Sequence, residues 1–521
     1  MTDRLHRSAP PAGLPQPVSP TDVGVVHLGI GAFHRAHQAV FTDRAMALSG
    51  DLRWGILGVT QRSAGVRDQL RPQDGVYAVL TAGAAGGGSS SGDGSAALGD
   101  GLSLELVGAV VDVAYPAEET PRVLAALAAP TTHVVTLTIT EKGYARRPDG
   151  GLDVDRVRPD LEALRAEELA VGSDENNPEQ ATATSSEQKV VLGAAEPGAA
   201  SSAIGILVRG LAVRRRVSGD LPLTVLTCDN MVDNGRVLER LVREAVDAAL
   251  PGAEGAALRA YLDAAVTFPC SMVDRIVPAT TPAQRDAVEA ALGVRDEGLV
   301  VGEPFTQWVI EDRFAGPRPP WEAAGATLTA DVAPYEQAKL RLLNGTHSLV
   351  AYSGWLAGHA TIAEAVGDPA IAEAAREYLF DDALPTLDAP FDLRSYGEEI
   401  LHRFANPHTG HTTIQVAMDG TQKIPFRWGG VLGDSLSAGR VPGGLVLGLA
   451  AWAEFVRRRV MAGEVVDDPR AAELAEVVHG AGGDREATVR GLLGVPGLLP
   501  DVAVGHEALL GAVVDARVPV S

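Results

Sequence analysis

The sequence predicts an α/β N-terminal domain, parallel strands with helices on both faces, followed by a mostly α-helical C-terminal domain. Three observations carry that prediction. Short β-branched runs alternate with helical patterns over the first 330 or so residues. A glycine-rich turn closes the first of those runs. Beyond residue 330 the helical periodicity continues while strand runs all but vanish. Alternation of this kind places helices as crossovers between parallel strands.

Taken in order, "MTDRLHRSAPPAGLPQPVSP" has no apolar core of the signal-peptide type, so residues 1–22 are expected to be a flexible N-terminus and the protein cytoplasmic. "VGVVHLGI" (23–30), "RWGILGVT" (53–60), "LSLELVGAVVDV" (102–113), "HVVTLTIT" (133–140) and "LTVLTC" (223–228) read as strands. "TPRVLAALA" (120–128) and "NGRVLERLVREAVDAAL" (234–250) read as helices. Residues 82–101 and 171–202 are rich in Gly, Ser and Ala or simply polar, without periodicity, and are expected to be disordered loop inserts. Domains are therefore expected over 23–328 and 329–521. "EQAKLRLLNGTHSLVAYSGWLAG", "TIAEAVGDPAIAEAAREYLF" and "GGLVLGLAAWAEFVRRRVM" are the long helical patterns of the second.

Composition narrows the function classes. A net charge of −23 argues against nucleic acid or an anionic membrane as partner. The apolar run "LVLGLAAWA" is too short to span a bilayer. Two cysteines, Cys228 and Cys270, with no CxxC or HExxH, offer no zinc signature, so no metal is expected.

The turn after the first strand reads "GIGAFHR". Gly29 and Gly31, with Ile30, Ala32, Phe33, His34 and Arg35, form a strand–GxG–helix junction suited to a dinucleotide pyrophosphate. His34 replaces the third glycine of the full fingerprint. At the end of the second strand Gln61 and Arg62 stand where an acidic residue would hold the adenosine ribose, which leaves NAD and NADP both open.

"YEQAKLRLLNGTHS" places Lys339, Asn344 and His347 among leucines. On a continuous α-helix Lys339 and His347 lie about 80° apart, with Glu336 between them and Asn344 on the same side. Alone, such a lysine would more often snorkel to solvent.

"GIGAFHRAHQ", "TCDNMVDNG", "FPCSMVDRIVP" and "KLRLLNGTHS", in this order, resemble the polyol-specific long-chain dehydrogenases, the mannitol 2-dehydrogenase and fructuronate reductase family. The likeness spans nearly the whole chain outside the N-terminal twenty residues and the two inserts. It implies a Rossmann-type domain and a helical domain that interconvert a secondary alcohol of an open-chain polyol or hexonate with its ketose, using NAD or NADP and no metal. On that resemblance Lys339 is the general base and Glu336 its proton relay. Asn230 and Asn344 hold the reacting oxygen, and His347 orients the substrate. Asp274 contacts a substrate hydroxyl, and Lys423 makes a further substrate contact. Gln415 stands where mannitol-oxidising members carry arginine, and Arg403, His411 or Lys423 could meet a carboxylate. A monomer or small homo-oligomer is expected.

The chemistry is consistent with these roles. An alcohol carbon releases hydride as its hydroxyl proton leaves, so a base and donors to the developing alkoxide are required. Lysine must fall from about 10.4 toward 7–8 to serve, roughly 4 kcal/mol against its charged form, which apolar burial can supply. Two alternatives stay open: a mannitol 1-phosphate 5-dehydrogenase, and a nucleotide-binding sensor without catalysis.

Overall fold

The computed structural model describes residues 3–83, 96–99, 101–175 and 202–519. The chain divides into two compact units, Met1–Val332 and Ala333–Ser521.

In the first unit the strands run in chain order as β1 (Val23–Leu28), β2 (Gly55–Val59), β3 (Tyr77–Ala82), β4 (Ala96–Gly99), β5 (Leu102–Val107), β6 (Val110–Ala114), β7 (Val134–Leu137), β8 (Leu223–Thr227), β9 (Val266–Thr267), β10 (Ser271–Asp274), β11 (Val300–Gly302), β12 (Gln307–Glu311) and β13 (Thr327–Thr329). The central sheet is ordered β6-β2-β1-β7-β8-β9 and is parallel throughout. Counted within the sheet this is the 3-2-1-4-5-6 arrangement of dinucleotide-binding folds, whose direction of winding reverses between β1 and β7.

Both faces of that sheet are covered, which is why its strands read as unbroken apolar runs. Successive residues feed opposite cores. Val26 and Leu28 join Val135, Val225 and Leu207 on one face, and Val25 joins Ile56, Val134 and Leu226 on the other. The helix Asn234–Ala249 buries Leu238, Leu241, Val242, Ala245 and Val246, the three-and-four spacing of one helical face.

Three sequence expectations are corrected. The run 102–113 is two strands in two sheets, broken at Gly108, whose N–H donates to Asp43 Oδ1 at 2.6 Å. The N-terminal segment is not loose: Leu5 is fully buried, and the Arg7 guanidinium donates to the carbonyls of Val18, Asp74, Gly108 and Val110. Within the first insert, Ala96–Gly99 pair antiparallel with β5. Of the second, 171–175 continue the helix Val154–Glu175, and Ser202 caps the helix Ala203–Ser218 by accepting from Gly205 N–H at 2.9 Å. The remainder of both inserts lies outside the described residues.

The second unit is helical. Gly443–Met461 forms a single helix. The pattern 361–380 is broken where Asp368 caps and Pro369 opens the helix Pro369–Glu377. Residues 333–356 are not one α-helix: Ala333–Ala338 and Gly345–Leu356 are α-helical, and Lys339–Asn344 form a π-turn between them. Among the described residues no helix is long and apolar enough to cross a membrane.

Candidate active site

In the first unit, the glycine turn sits where β1 ends. Gly29 has φ +99°, and a Cβ there would collide with Thr138 O, so only glycine fits. The Gly29 and Ile30 N–H groups donate to Val59 O at 2.8 and 3.2 Å, and Gly31 N–H donates to Gly29 O at 2.7 Å. Gly31 itself is open above: a Cβ would find no atom nearer than 3.8 Å. A side chain would fill that space, and its absence leaves the Gly31 backbone open on that side.

The turn is stiffened by a polar relay. Thr138 Oγ1 donates to Gly29 O at 2.9 Å and therefore accepts from His27 Nε2, also at 2.9 Å. That leaves His27 Nδ1 to accept from Thr136 Oγ1 at 2.7 Å. Burial holds His27 down to about 3, so it is neutral. His34 stacks on it with ring centroids 3.3 Å apart, and burial first, then the neighbouring His27, Arg35 and His37, keep His34 well below its ordinary value. Arg35 is turned inward, donating to Gly31 O at 3.2 Å and Gly298 O at 2.5 Å.

Asn230, exposed, follows β8 on the same carboxyl edge of the sheet. Its neighbour Asp229 is buried and ties adjacent loops together, accepting from the N–H groups of Ile139 and Thr140 at 2.9 Å each and from Tyr144 Oη at 2.8 Å. Asn234 joins this loop to β10 by donating to Asp229 O at 2.9 Å and Ser271 O at 2.7 Å. Asp274 ends β10 and is buried, and Arg275 after it donates to Ala36 O and to Glu303 O. The glycine turn, Asn230 and Asp274 are thus linked within this unit.

In the second unit, Lys339 and Glu336 are both buried, at 5% and 8% exposure. Lys339 opens the π-turn and Asn344 closes it, so the angle expected from a continuous α-helix does not apply. His347 follows one α-turn later, stacked between Phe404 (4.8 Å) and His411 (5.6 Å). Its Nε2 is buried and meets no hydrogen-bond partner among the described residues. Burial first, then the nearby His411, Arg427, Lys423 and Arg403, hold His347 well below its ordinary value. Lys423 donates to Val416 O at 3.2 Å and is lowered to about 8, by burial and then by Arg427. The helix N-terminus at Thr412 uses Gln415 for capping: Gln415 accepts from Thr412 N–H at 3.4 Å while Thr412 Oγ1 accepts from Gln415 N–H. Gln415 is exposed and lines a shallow apolar pocket with Ile414, Phe455 and Val465.

Two family models cover most of the chain: the mannitol dehydrogenase Rossmann domain over residues 23–323 and the mannitol dehydrogenase C-terminal domain over 331–494. The chain belongs to the mannitol dehydrogenase family. It is an oxidoreductase acting on alcohol groups. D-mannonate oxidoreductase of Escherichia coli is 36% identical over 94% of this chain and 92% of that protein. A substrate-free D-sorbitol dehydrogenase structure superposes with a TM-score of 0.78 at 26% identity, covering 99% of this chain and 97% of the other. The Pseudomonas fluorescens mannitol 2-dehydrogenase ternary complex with NAD and D-mannitol does so with 0.70 at 29% identity, covering 95% and 91%.

Within this mannitol dehydrogenase family member, two further groups of the second unit stand at the lysine run, the buried Tyr378 and the half-buried Arg427. Neither carries a motif signal: "PFRWGG" and "REYLF" look like ordinary amphipathic helix. Among the described residues no group of three or more His, Cys, Asp or Glu side chains is arranged to hold a metal ion.

Proposed function

We propose that this chain is a nicotinamide-dependent dehydrogenase that interconverts a secondary alcohol of an open-chain sugar acid or sugar alcohol with the corresponding ketose, with Lys339 as the base. The observation that carries the reading is the buried Lys339, followed across one π-turn by Asn344 and then by His347, whose Nε2 is buried and without a partner among the described residues. The glycine turn fits a dinucleotide, and NAD is assigned to it, with NADP open because Gln61 and Arg62 follow β2. When bound, the nicotinamide ring takes up the hydride from the alcohol carbon.

The residues of the chain do the rest. Lys339, uncharged, takes the hydroxyl proton as the carbon–hydrogen pair departs, and the oxygen becomes a ketone. Asn344 donates to that oxygen as negative charge gathers on it, and Asn230 is assigned the same part on the family resemblance. Glu336 passes the proton from the lysine toward solvent. His347 orients the substrate hydroxyls, and Asp274 is assigned a hydroxyl contact on the family resemblance.

Of the two substrate classes, the sugar acid is favoured. His347 lies among Arg403, Lys423, Arg427 and His411, and Arg427 forms no ion pair among the described residues. Such surroundings suit a carboxylate better than a neutral hexitol. The mannonate oxidoreductase relative points the same way.

The test is a substrate panel. Purified protein is mixed with NAD and, separately, NADP, and nicotinamide absorbance is followed with mannonate, mannitol, arabinitol and mannitol 1-phosphate. Oxidation of mannonate at the highest kcat/KM is expected. Preference for a hexitol or for the phosphate ester would overturn the substrate class. No turnover on any of them, with nucleotide still bound, would favour a sensor. Lys339→Ala should lower kcat by about 10²- to 10⁴-fold with cofactor affinity kept, and near-normal rates in that variant would remove the base from Lys339.

A further inference from the structure

A π-turn needs a reason to persist. Its N–H groups reach five residues back, as Gly345 N–H does to Leu340 O, so the turn holds one more residue than the α-helix around it. Three carbonyls in and beside it are taken by side-chain donors from the last third of the chain. Tyr378 Oη donates to Arg341 O at 2.7 Å. Arg427 Nη1 donates to Asn344 O at 3.2 Å and to Ser348 Oγ at 2.8 Å. Trp428 Nε1 donates to Gly345 O at 3.0 Å. Tyr378 and Trp428 are fully buried.

The glycine of "NGT" is part of the same arrangement. A Cβ on Gly345 would collide with the Tyr378 hydroxyl and would sit 2.8 Å from its Cζ. Gly345 is at φ −65°, so it is not there for backbone freedom. Its missing side chain is what lets the tyrosine reach the Arg341 carbonyl.

We propose that Tyr378 and Arg427 are positioning residues that hold this turn open and so set the angle between Lys339 and the Asn344–His347 pair. Relaxation to a plain α-helix would rotate one half against the other by one residue's step, roughly 100°. That swing would carry the amine away from the alcohol that Asn344 and His347 present to it. The inference rests on Lys339 being the base, and its test separates the two.

Full-length Tyr378→Phe, Arg427→Lys, Gly345→Ala and Lys339→Ala are compared with the parent. Tyr378→Phe should lose about 10- to 100-fold in kcat, since misplacement by about 1 Å can cost 10²-fold, with cofactor Kd within about twofold of the parent. The pH midpoint of kcat should move with it, which a merely structural defect would not cause. Arg427→Lys keeps the charge and should show a smaller loss in the same direction. Gly345→Ala and Tyr378→Phe act on one contact, so their combined effect on kcat should fall well short of the product of the single effects. Backbone amide exchange across 339–349 should quicken in Tyr378→Phe.

If Lys339→Ala is inactive while Tyr378→Phe and Arg427→Lys keep the parental kcat and pH midpoint, the positioning role is wrong and the base stands. If Lys339→Ala keeps its rate, the base is wrong, and unchanged exchange across 339–349 in Tyr378→Phe and Arg427→Lys would then refute the hold on the turn as well. Should Tyr378→Phe fail to fold, Gly345→Ala, which displaces the same hydroxyl, is decisive by the same readouts.

Discussion

At the scale of single residues the informative groups are the buried ones whose charge state depends on their neighbours. Lys423 is lowered to about 8 by burial and by Arg427, while Asp419, Asp467 and Asp468 pull the other way. Its positive charge is therefore present below about pH 8 and lost above it. If the substrate is a carboxylate, its KM should rise as pH climbs through 8, whereas KM for a neutral hexitol should stay flat. Lys423→Gln should abolish that pH dependence, and an unchanged profile would remove Lys423 from carboxylate binding. On the proposed role of Lys339 as the base, the oxidative kcat should move oppositely and rise with pH. Lys339 stands out in the sequence because a lysine followed by leucines and then by Asn344 and His347 matches a family motif. Arg427 and Tyr378 were not, because each acts on a backbone carbonyl distant in sequence, and no local pattern encodes a carbonyl's need for a donor.

At the scale of elements, strands buried on both faces and helices with one apolar face announced themselves by composition and period. Short strands of the smaller sheets, such as β11 and β13 with three residues each, did not. Three residues are too few to show a period of two. The N-terminal segment is the clearest miss. Its prolines and polar residues suggest a loose tail, yet Leu5 is buried and Arg7 satisfies carbonyls on three separate segments. Deleting residues 1–12 exposes the Leu5 pocket and strips those carbonyls of a donor. A loss of about 3–5 kcal/mol is expected from one buried leucine and a charged hydrogen-bond hub. Chemical denaturation with and without the segment measures it, and an unchanged midpoint would mean the segment is dispensable.

At the scale of the whole molecule, the acidic balance of −23 concerns solubility and partners rather than fold. The chain is expected not to bind heparin or duplex DNA at about 0.15 M salt, where counterion release gives an acidic surface nothing to gain. Retention on either would require a local basic face that the overall charge conceals. The two units, Met1–Val332 and Ala333–Ser521, differ in class because one is built on a parallel sheet and the other on helices alone.

The amino-acid order by itself determined the parallel sheet, the glycine turn, the helical second half and the lysine–asparagine–histidine run, since each depends on residues close together in the chain. Only the tertiary structure decided that this run is bulged at Lys339–Asn344, and which distant side chains hold it so. The physical reason is the same in each case: period and composition report local preference, while a backbone carbonyl freed from its helix is satisfied by whatever donor the fold brings beside it.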